Sequence, residues 1–510
     1  MPKNQNQPAD NAAGNTAADA VDDTPEQIKI RRGKRERLLA EGIEPYVVGV
    51  ARTHSLAQVR AAYPDLEADR ATGDRVGVTG RVIFFRNTGK LCFATLRESG
   101  VELQVMISLA KVGDEALARW KSDVDLGDHV FVEGEVITSK RGELSVLADR
   151  WELTAKALRP LPVAHKPMNE ETRVRQRYAD LIVRPEARRM VEVRGKAIAS
   201  IRQTLGSHDY IEVETPMLQS VQGGATARPF TTFYNAYDLE VFLRIAPELY
   251  LKRCVVGGID RVFEINRNFR NEGADSTHSP EFVMCEFYQA YADYNVMADL
   301  TREIYQQAAV AAVGDMTFER SDGTTMDLSG EWRSASLYEI TSEAAGVELT
   351  PQTPLAKLHD VATENGVKFS PDWVPGKVLE EIFETLCRDQ LRGPIFIRDF
   401  PVDTSPLVRA HRSIDGVVEK WDLYVDGMEC GTGYSELVDP VIQRERFIEQ
   451  AAARDAGDSE AMQIDEDFLR ALEYGMPPSG GVGLGIDRML QVLTGRGIRE
   501  TILFPFVKPE

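Results

Sequence analysis

The stretch VFEINRNFRNEG, residues 262–273, decides how the fold of this chain is interpreted. Its apolar residues favour a β-strand. From residue 264 onward its even positions are all polar, namely Glu264, Asn266, Asn268, Arg270 and Glu272. Because successive side chains of a strand point to opposite faces, these polar groups share one face, and the simplest explanation is a face that meets water. A second predicted strand, SPEFVMCEFYQAY (residues 279–291), is mostly apolar and still carries Glu281 and Glu286.

The bulk composition predicts a multidomain globular protein. With 510 residues, of which 43% are hydrophobic, we expect two or three domains with sizeable cores. No apolar run is long enough for a membrane span, and the N-terminus has no apolar segment typical of a signal peptide. Residues 1–25 are rich in Ala, Asn, Asp and Gly, which predicts a disordered tail.

Net charge and cysteine spacing limit the binding partners and the cellular compartment that the sequence predicts. A net charge of −20 argues against broad nucleic-acid binding, although residues 28–39, IKIRRGKRERLL, place six Lys/Arg on one predicted helix. That helix either presents a solvated face or contacts RNA. The five cysteines form no Cys-x-x-Cys pair, which argues against a zinc knuckle or a disulfide framework and favours the cytoplasm.

Short alternating segments between residues 76 and 158 predict a small β-barrel. Five strands with a helical segment between the third and the fourth are typical of an OB-type barrel, a fold that binds oligonucleotides on one face. Phe84, Phe85, Phe93 and Arg86 offer stacking faces and a cation suited to single-stranded bases. Alternation alone leaves open that Phe93 belongs to the barrel core.

The sequence after the predicted barrel predicts an α+β domain. Strands and helices do not alternate one for one, so we expect an antiparallel sheet flanked by helices. The predicted boundaries are an N-terminal helix and barrel at 26–160, a linker at 161–177 and a second domain at 178–510. Within that domain, a helical insertion is expected at about 295–390.

Common nucleotide-binding motifs are missing from the sequence. TGKL at residues 88–91 lacks both the preceding glycine and the hydroxyl of a phosphate-binding loop. GGVGLGIDR, residues 480–488, has Ile486 where the third Rossmann glycine would fall, and no His-Glu-x-x-His occurs.

An ordered series of segments nevertheless resembles one family. EVETPML, GGATARPF, RIAPELYLKR, FEINRNFRNEG, SPEF, AYADY, GYSEL and GLGIDR follow one another between residues 212 and 488. Together they resemble the three signature motifs of class II aminoacyl-tRNA synthetases. The preceding barrel matches the subgroup for lysine, aspartate and asparagine (subclass IIb), and the resemblance is closest to the bacterial-type lysyl-tRNA synthetases, from residue 26 onward.

The resemblance implies lysine–tRNA ligation: ATP activates lysine to lysyl-adenylate, which then acylates tRNA(Lys). Arg270 would hold the α-phosphate and the substrate carboxylate, and Arg488 would lie against the purine and the γ-phosphate. Glu272 and His278 would meet ATP, and Phe282 would stack on adenine. The structural alternatives are an ion-paired Arg270 and an exposed loop histidine at position 278.

The lysine and metal sites follow from the same resemblance. Gly224 and Glu248 would hold the α-amine. The remaining lysine-binding positions are Arg270, Glu286, Tyr288, Thr432 and Glu436, and an acidic pocket suits the ammonium of lysine better than the side chain of aspartate or asparagine. Asp422 and Glu429 are the candidate Mg²⁺ ligands, and Asp426 is expected to face solvent.

Two positions differ from the family pattern. Thr432 replaces the usual Asn, and Asp422 stands where Glu is more frequent. We expect an active enzyme with altered lysine or Mg²⁺ affinity.

In the barrel, Phe93 and Glu143 match positions that contact anticodon bases in the family, and Arg86 nearby is a further candidate for these contacts. A homodimer in the cytoplasm is implied as well.

The competing hypotheses are a synthetase-like paralogue that modifies another acceptor or makes dinucleotides, and a regulatory protein built on an inactive scaffold.

Overall fold

The computed structural model describes residues 25–162, 168–273, 278–455 and 460–509. The chain forms two compact units, one up to residue 168 and one from residue 169. The predicted tail lies outside the described residues except for its last one, Pro25. The predicted linker contains a short helix at its C-terminal end, whereas residues 163–167 lie outside the description.

The first unit is a closed barrel with the strand order β1-β2-β3-β5-β4, which confirms the predicted OB-type barrel. The strands are β1 (Ala71–Thr88), β2 (Leu91–Glu98), β3 (Val101–Ser108), β4 (His129–Thr138) and β5 (Leu144–Ala155). The helices are α1 (Glu26–Ala40), α2 (Leu56–Ala62) and α3 (Leu109–Asp123). As predicted, α3 separates the third strand from the fourth.

Alternation along β2 sorts its side chains between the barrel core and the outer surface. Cys92, Ala94 and Leu96 point inward and are buried. Phe93 points outward and pairs in register with Arg86 on β1. The centre of its ring lies 5.1 Å from the guanidinium carbon of Arg86. The alternative that Phe93 is a core residue is therefore wrong.

Helix α1 uses part of its positive charge to hold the barrel. Arg31 donates to the carbonyls of Leu126 and Ala157, at 2.9 and 3.0 Å. Lys34 pairs with Asp125 at 2.8 Å. These cations serve packing, while Arg32 on the same helix is exposed.

The second unit contains an eight-stranded sheet with the order β14-β15-β16-β17-β18-β11-β10-β6. Its strands and those of two small sheets are β6 (Ile211–Glu212), β7 (Leu218–Gln219), β8 (Thr231–Tyr234), β9 (Leu239–Leu243), β10 (Arg261–Phe269), β11 (Glu281–Ala290), β12 (Thr317–Glu319), β13 (Thr325–Asp327), β14 (Arg333–Ser336), β15 (Pro394–Pro401), β16 (Val417–Val425), β17 (Met428–Ser435) and β18 (Ser479–Gly485). The six central strands pair antiparallel, as predicted. The short edge strands β6 and β14 pair parallel, so the sheet is mixed.

The helices of the second unit are α4 (Glu170–Arg175), α5 (Arg177–Val183), α6 (Pro185–Ser207), α7 (Glu248–Val256), α8 (Tyr294–Val313), α9 (Leu337–Ala345), α10 (Leu355–Glu364), α11 (Pro375–Leu386), α12 (Pro440–Asp455), α13 (Glu466–Glu473), α14 (Ile486–Thr494) and α15 (Ile498–Thr501). Residues of α6, α8 and α14 share one hydrophobic core with the central strands. The region expected as an insertion at 295–390 thus supplies α8 to this core and β14 to the sheet edge. Only α9, α10 and α11 pack in a separate cluster, at the β15 side.

The polar face of β10 is buried rather than solvated. Glu264, Asn266 and Asn268 are at most 5% exposed. Glu264 accepts from Arg244 Nη1 at 2.7 Å, and Asn268 donates to Asn266 at 2.7 Å. The simple water-facing explanation is therefore wrong, and these residues form a hydrogen-bonded support for the strand.

Among the described residues, no helix is both long and apolar enough to cross a lipid bilayer.

Candidate active site

Three cavities meet at Thr432, which lines all of them. The arginine cavity, about 790 Å³, lies between the β10–β11 connection and the start of α14. The acidic cavity, about 880 Å³, lies between β11, β17 and the start of α7. The wide cavity, about 1630 Å³, extends from the β16–β17 hairpin toward α11.

The arginine cavity gathers all of the predicted ATP-binding residues. They come from the end of β10, the loop after it, β11 and α14: Arg270, Glu272, His278, Phe282 and Arg488. The Arg270 guanidinium carbon lies 5.1 Å from the centre of the Phe282 ring. Burial lowers the pKa of Arg270, and the carboxylates of Glu272 and Glu429 oppose that shift. No ion pair holds Arg270 at hydrogen-bond distance among the described side chains, so the structural alternative of a core ion pair does not describe it.

Arg488 enters the same cavity from the first turn of α14. Its Nη1 donates to the Glu429 carbonyl at 2.7 Å, and its Nη2 lies 3.5 Å from His278 Nε2. Two guanidinium groups therefore converge on one cavity, which suits a ligand with several negative charges.

The acidic cavity is lined by two carboxylates, those of Glu248 and Glu286. Gly224, Glu248, Glu286 and Tyr288 line it, and Arg270 lies where it joins the arginine cavity. Tyr288 donates its hydroxyl to Glu286 at 3.1 Å. Burial raises the pKa of Glu286 well above its ordinary value, and the charge of Glu248 adds to the shift. Such a cavity favours a cationic ligand, because a cation would offset the repulsion between the two carboxylates.

Glu436 lies one layer behind this cavity. Its side chain is fully buried and pairs with Lys252 Nζ at 2.5 Å. The same ammonium is 2.7 Å from Glu248 Oε1. Glu436 is therefore close to the predicted pocket but already has a cationic partner within the chain.

Strand β18 leaves room for these side chains because it is mostly glycine. A Cβ at Gly481 would lie 2.1 Å from Glu436 Oε1 and 2.4 Å from Tyr288 Cε1. A Cβ at Gly483 would meet the Met284 side chain at 3.1 Å. The glycine-dense sequence here thus serves close approach of neighbouring side chains rather than a dinucleotide loop.

Asp422 and Glu429, on neighbouring strands, both line the wide cavity. Lys420 Nζ pairs with Asp422 Oδ2 at 3.1 Å, while Asp422 Oδ1 is buried and has no hydrogen-bond partner among the described residues. Burial raises the pKa of Asp422 to about 6, Lys420 opposes the shift and Glu429 adds to it. No group of three or more potential ligand side chains gathers in the described ranges. An orphan carboxylate oxygen beside a second carboxylate still fits Mg²⁺, which commonly takes one or two carboxylates together with phosphates.

Two further cations were not found from the sequence. Lys252 follows Glu248 by four residues on α7, a spacing that signals a helical ion pair. Lys420 precedes Asp422 by two residues on β16 and therefore shares its face. Both signals were present in the sequence, but neither shows that the groups are buried at a site.

The comparisons with known proteins agree with this geometry. The family described as "tRNA synthetases class II (D, K and N)" matches residues 169–508. The chain belongs to the class II tRNA synthetases. An OB-fold nucleic-acid-binding domain family matches residues 76–154, within the barrel of this class II synthetase.

Curated relatives extend the match over nearly the whole synthetase. A lysine–tRNA ligase of Mycolicibacterium gilvum is 62% identical over 496 residues, covering 97% of this chain and 99% of the relative. A lysine–tRNA ligase of Kineococcus radiotolerans is 61% identical over 96% of this chain and 98% of its own length. A lysylphosphatidylglycerol biosynthesis bifunctional protein of Mycolicibacterium vanbaalenii is 46% identical, and the match covers only 45% of that longer protein.

Proposed function

We propose that this chain is a lysine–tRNA ligase. It activates lysine with ATP to lysyl-adenylate and pyrophosphate, and then transfers lysine to the 3′-terminal ribose of tRNA(Lys). The relatives that match over nearly their full length support this proposal. The observation that carries it is the junction of an acidic cavity with a cavity bearing two arginines.

In the first step the lysine carboxylate attacks the α-phosphorus of ATP. This carboxylate is already ionised, so the step needs no general base. Arg270 lines both cavities, where it binds the carboxylate and the α-phosphate and offsets the charge that develops on the phosphate oxygens. Arg488 and Phe282 hold the γ-phosphate and the purine, and Glu272 with His278 completes the ATP contacts.

In the acidic cavity the two amines of lysine are recognised by different groups. Glu248 and the Gly224 carbonyl bind the α-amine. Glu286 and Tyr288, with Glu436 behind them, bind the ε-ammonium. Because a neutral side chain would leave the buried Glu286 without a cationic partner, we expect discrimination against uncharged analogues by roughly 10⁴-fold.

Asp422 and Glu429 are proposed to hold Mg²⁺ against the ATP phosphates. A bound Mg²⁺ would neutralise charge on the phosphates and align them for in-line attack. Thr432 lies between this pair and both substrate cavities and donates to the Trp421 carbonyl at 3.3 Å. Its single hydroxyl thus has a main-chain partner, which supports the expectation that lysine affinity differs from that of enzymes with Asn at this position.

In the barrel, Arg86, Phe93 and Glu143 are proposed to contact the anticodon. Phe93→Ala removes a stacking surface worth about 1–3 kcal/mol per base. The kcat/KM of tRNA aminoacylation should therefore fall about 5- to 150-fold, since 1.4 kcal/mol corresponds to tenfold. Lysine-dependent ATP–pyrophosphate exchange without tRNA should not change, and an equal loss in both assays would refute an anticodon role.

Gly481→Ala tests whether β18 shapes the lysine site. The new Cβ would displace Glu436 or the Tyr288 ring. Overpacking of about 1–3 kcal/mol should raise the KM for lysine about 5- to 150-fold with little change in the KM for ATP.

Gly480→Ala is the matched control for this variant. A Cβ at Gly480 would meet Met297 Cγ at 2.6 Å, on the opposite face of the same strand. It should affect stability and leave the lysine KM unchanged. A lysine KM that rises equally in both variants would mean that the effect is general disruption of β18.

A homodimer in the cytoplasm completes the proposal. Apolar side chains are exposed along β6 to β9, as in a subunit interface: Ile211, Met217, Leu218, Phe233, Tyr234, Tyr237 and Leu239. All five cysteines are free thiols, as expected in a reducing compartment. Sedimentation equilibrium measures the dimer directly.

The deciding experiment is amino-acid-dependent ATP–pyrophosphate exchange with Mg²⁺ and without tRNA. Lysine, ornithine, arginine, aspartate and asparagine should be compared. Exchange with lysine alone, followed by aminoacylation of tRNA(Lys), is the expected result. Exchange only with another amino acid, or tRNA binding without any exchange, would replace the proposal by a changed specificity or a regulatory scaffold.

A further inference from the structure

A lysine side chain of the protein itself is buried behind the acidic cavity. The Lys252 side chain is 0% exposed, and its Nζ lies 2.7 Å from Glu248 Oε1 and 2.5 Å from Glu436 Oε2. Glu248 lines the acidic cavity, whereas Glu436 is as fully buried as Lys252. One ammonium therefore bridges a carboxylate on the cavity wall and a carboxylate behind it.

Packing connects Glu436 with Glu286, the carboxyl group on the other side of the cavity. Glu436 Oε1 and Tyr288 approach the Cα of Gly481 so closely that no side chain fits there. The Tyr288 hydroxyl in turn bonds to Glu286. A displacement of Glu436 would thus be transmitted to both of the other acidic residues of the pocket.

The carboxylates of this cluster suit a doubly cationic ligand. Glu248, Glu286 and Glu436 carry three negative charges when ionised, and Lys252 compensates one of them. Two negative charges then remain for the α-ammonium and the ε-ammonium of a lysine ligand. Without Lys252, burial would favour keeping one carboxyl protonated, and a protonated carboxyl binds an ammonium poorly.

We propose that Lys252 is a positioning residue that holds Glu248 and Glu436 in place and favours the ionised form of Glu436, and thereby sets the affinity of the acidic cavity for a doubly cationic amino acid. The inference deepens the proposed function and rests on it. Lys252 acts through the two carboxylates and does not touch the substrate.

The groups around Glu436 support a pH-dependent readout. Lys252 and Glu248 face it from α7, Tyr288 from β11 and Tyr434 from β17, while β18 contributes only Gly481. Burial raises the pKa of Glu436 to about 8, and Lys252 opposes that shift. A carboxyl with a raised pKa ionises only as the pH rises through that value, so the lysine KM should fall as the pH rises toward about 8. Removal of the Lys252 ammonium should raise the pKa of Glu436 further, and the fall in the lysine KM should then move to higher pH.

The test compares Lys252→Met, Lys252→Gln and Lys252→Arg with the wild-type chain in ATP–pyrophosphate exchange from pH 6.5 to about 9. The α-amine of the substrate titrates within this range, so each variant is compared with the wild type at the same pH. Lys252→Gln keeps an N–H donor between the carboxylates, so it remains informative if the methionine variant does not fold. Lys357→Met is the matched control, because Lys357 is exposed on α10. Circular dichroism and the KM for ATP report whether each variant is folded.

We expect the lysine KM to rise about 10- to 100-fold at neutral pH in the neutral variants, as a pKa change of one to two units would give. The ATP KM should stay near the wild-type value, the pH of the KM fall should move upward, and Lys252→Arg should restore both in part. A folded Lys252→Gln protein with a wild-type lysine KM and pH profile would overturn the inference. Absence of lysine-dependent exchange in the wild type would instead overturn the proposed function.

Discussion

We expect the kcat of pyrophosphate exchange to fall by about 10³-fold when Arg270 is replaced by glutamine. Loss of one preorganised donor at a developing oxyanion costs about 10²–10³ in kcat, and here the donor also carries a full charge. Arg270 is the one guanidinium shared by the acidic and the arginine cavities of the described site, so its loss leaves no second guanidinium that reaches both. Steady-state exchange with saturating lysine and ATP measures the loss.

Two other arginine variants serve as comparisons for Arg270→Gln. Arg270→Lys keeps the charge without the planar fork and should recover only part of the rate. Arg267→Gln removes an arginine three residues earlier on β10, whose exposed side chain pairs with Glu281. It should retain wild-type kcat. A kcat for Arg270→Gln within tenfold of wild type would show that the phosphate is held elsewhere.

Glu286→Gln should raise the KM for lysine about 10²- to 10³-fold. Truncating one partner of a buried charge pair costs about 2–5 kcal/mol, and Glu286 is 3% exposed. The amide also cannot supply the charge that a buried ammonium needs. Because the acidic cavity is separate from the purine contacts, the KM for ATP should change little, and initial-rate exchange at varied lysine and ATP separates the two effects.

Glu281→Gln is the control for the acidic cavity. Glu281 lies on the same strand, but its side chain is 44% exposed and pairs with Arg267. Its lysine KM should equal that of the wild type. Equal lysine and ATP effects in Glu286→Gln would indicate a disturbed β11 rather than a lost lysine contact.

Periodicity predicted the architecture because it reports burial, which is what forms the layers. The five barrel strands, the helix after the third, and the antiparallel centre of the large sheet all follow from local patterns. The same patterns could not decide which face of a strand is covered. For β10 the cover is Arg244, a residue of a different segment that contacts Glu264.

The site was predicted mainly through the resemblance, and the geometry adds what the motifs do not contain. Arg270, Phe282 and Arg488 occur in separate motifs, and the fold brings them to one cavity. Motif positions, however, say nothing about depth. Glu436 is set behind the cavity by its pairing with Lys252, a contact between residues far apart in the chain.

Strand β18 limits how far this protein can be made resistant to heat. Four of its seven residues are glycine, and each glycine in a strand interior costs roughly 0.5–1 kcal/mol relative to alanine. Three of these glycines lie inside the strand, which thus gives up about 1.5–3 kcal/mol of the 5–15 kcal/mol that typically holds a domain folded. Replacing glycine is a common route to a higher melting temperature. At Gly481 that route is closed, because the space a methyl group would fill is the space in which Glu436 and Tyr288 meet.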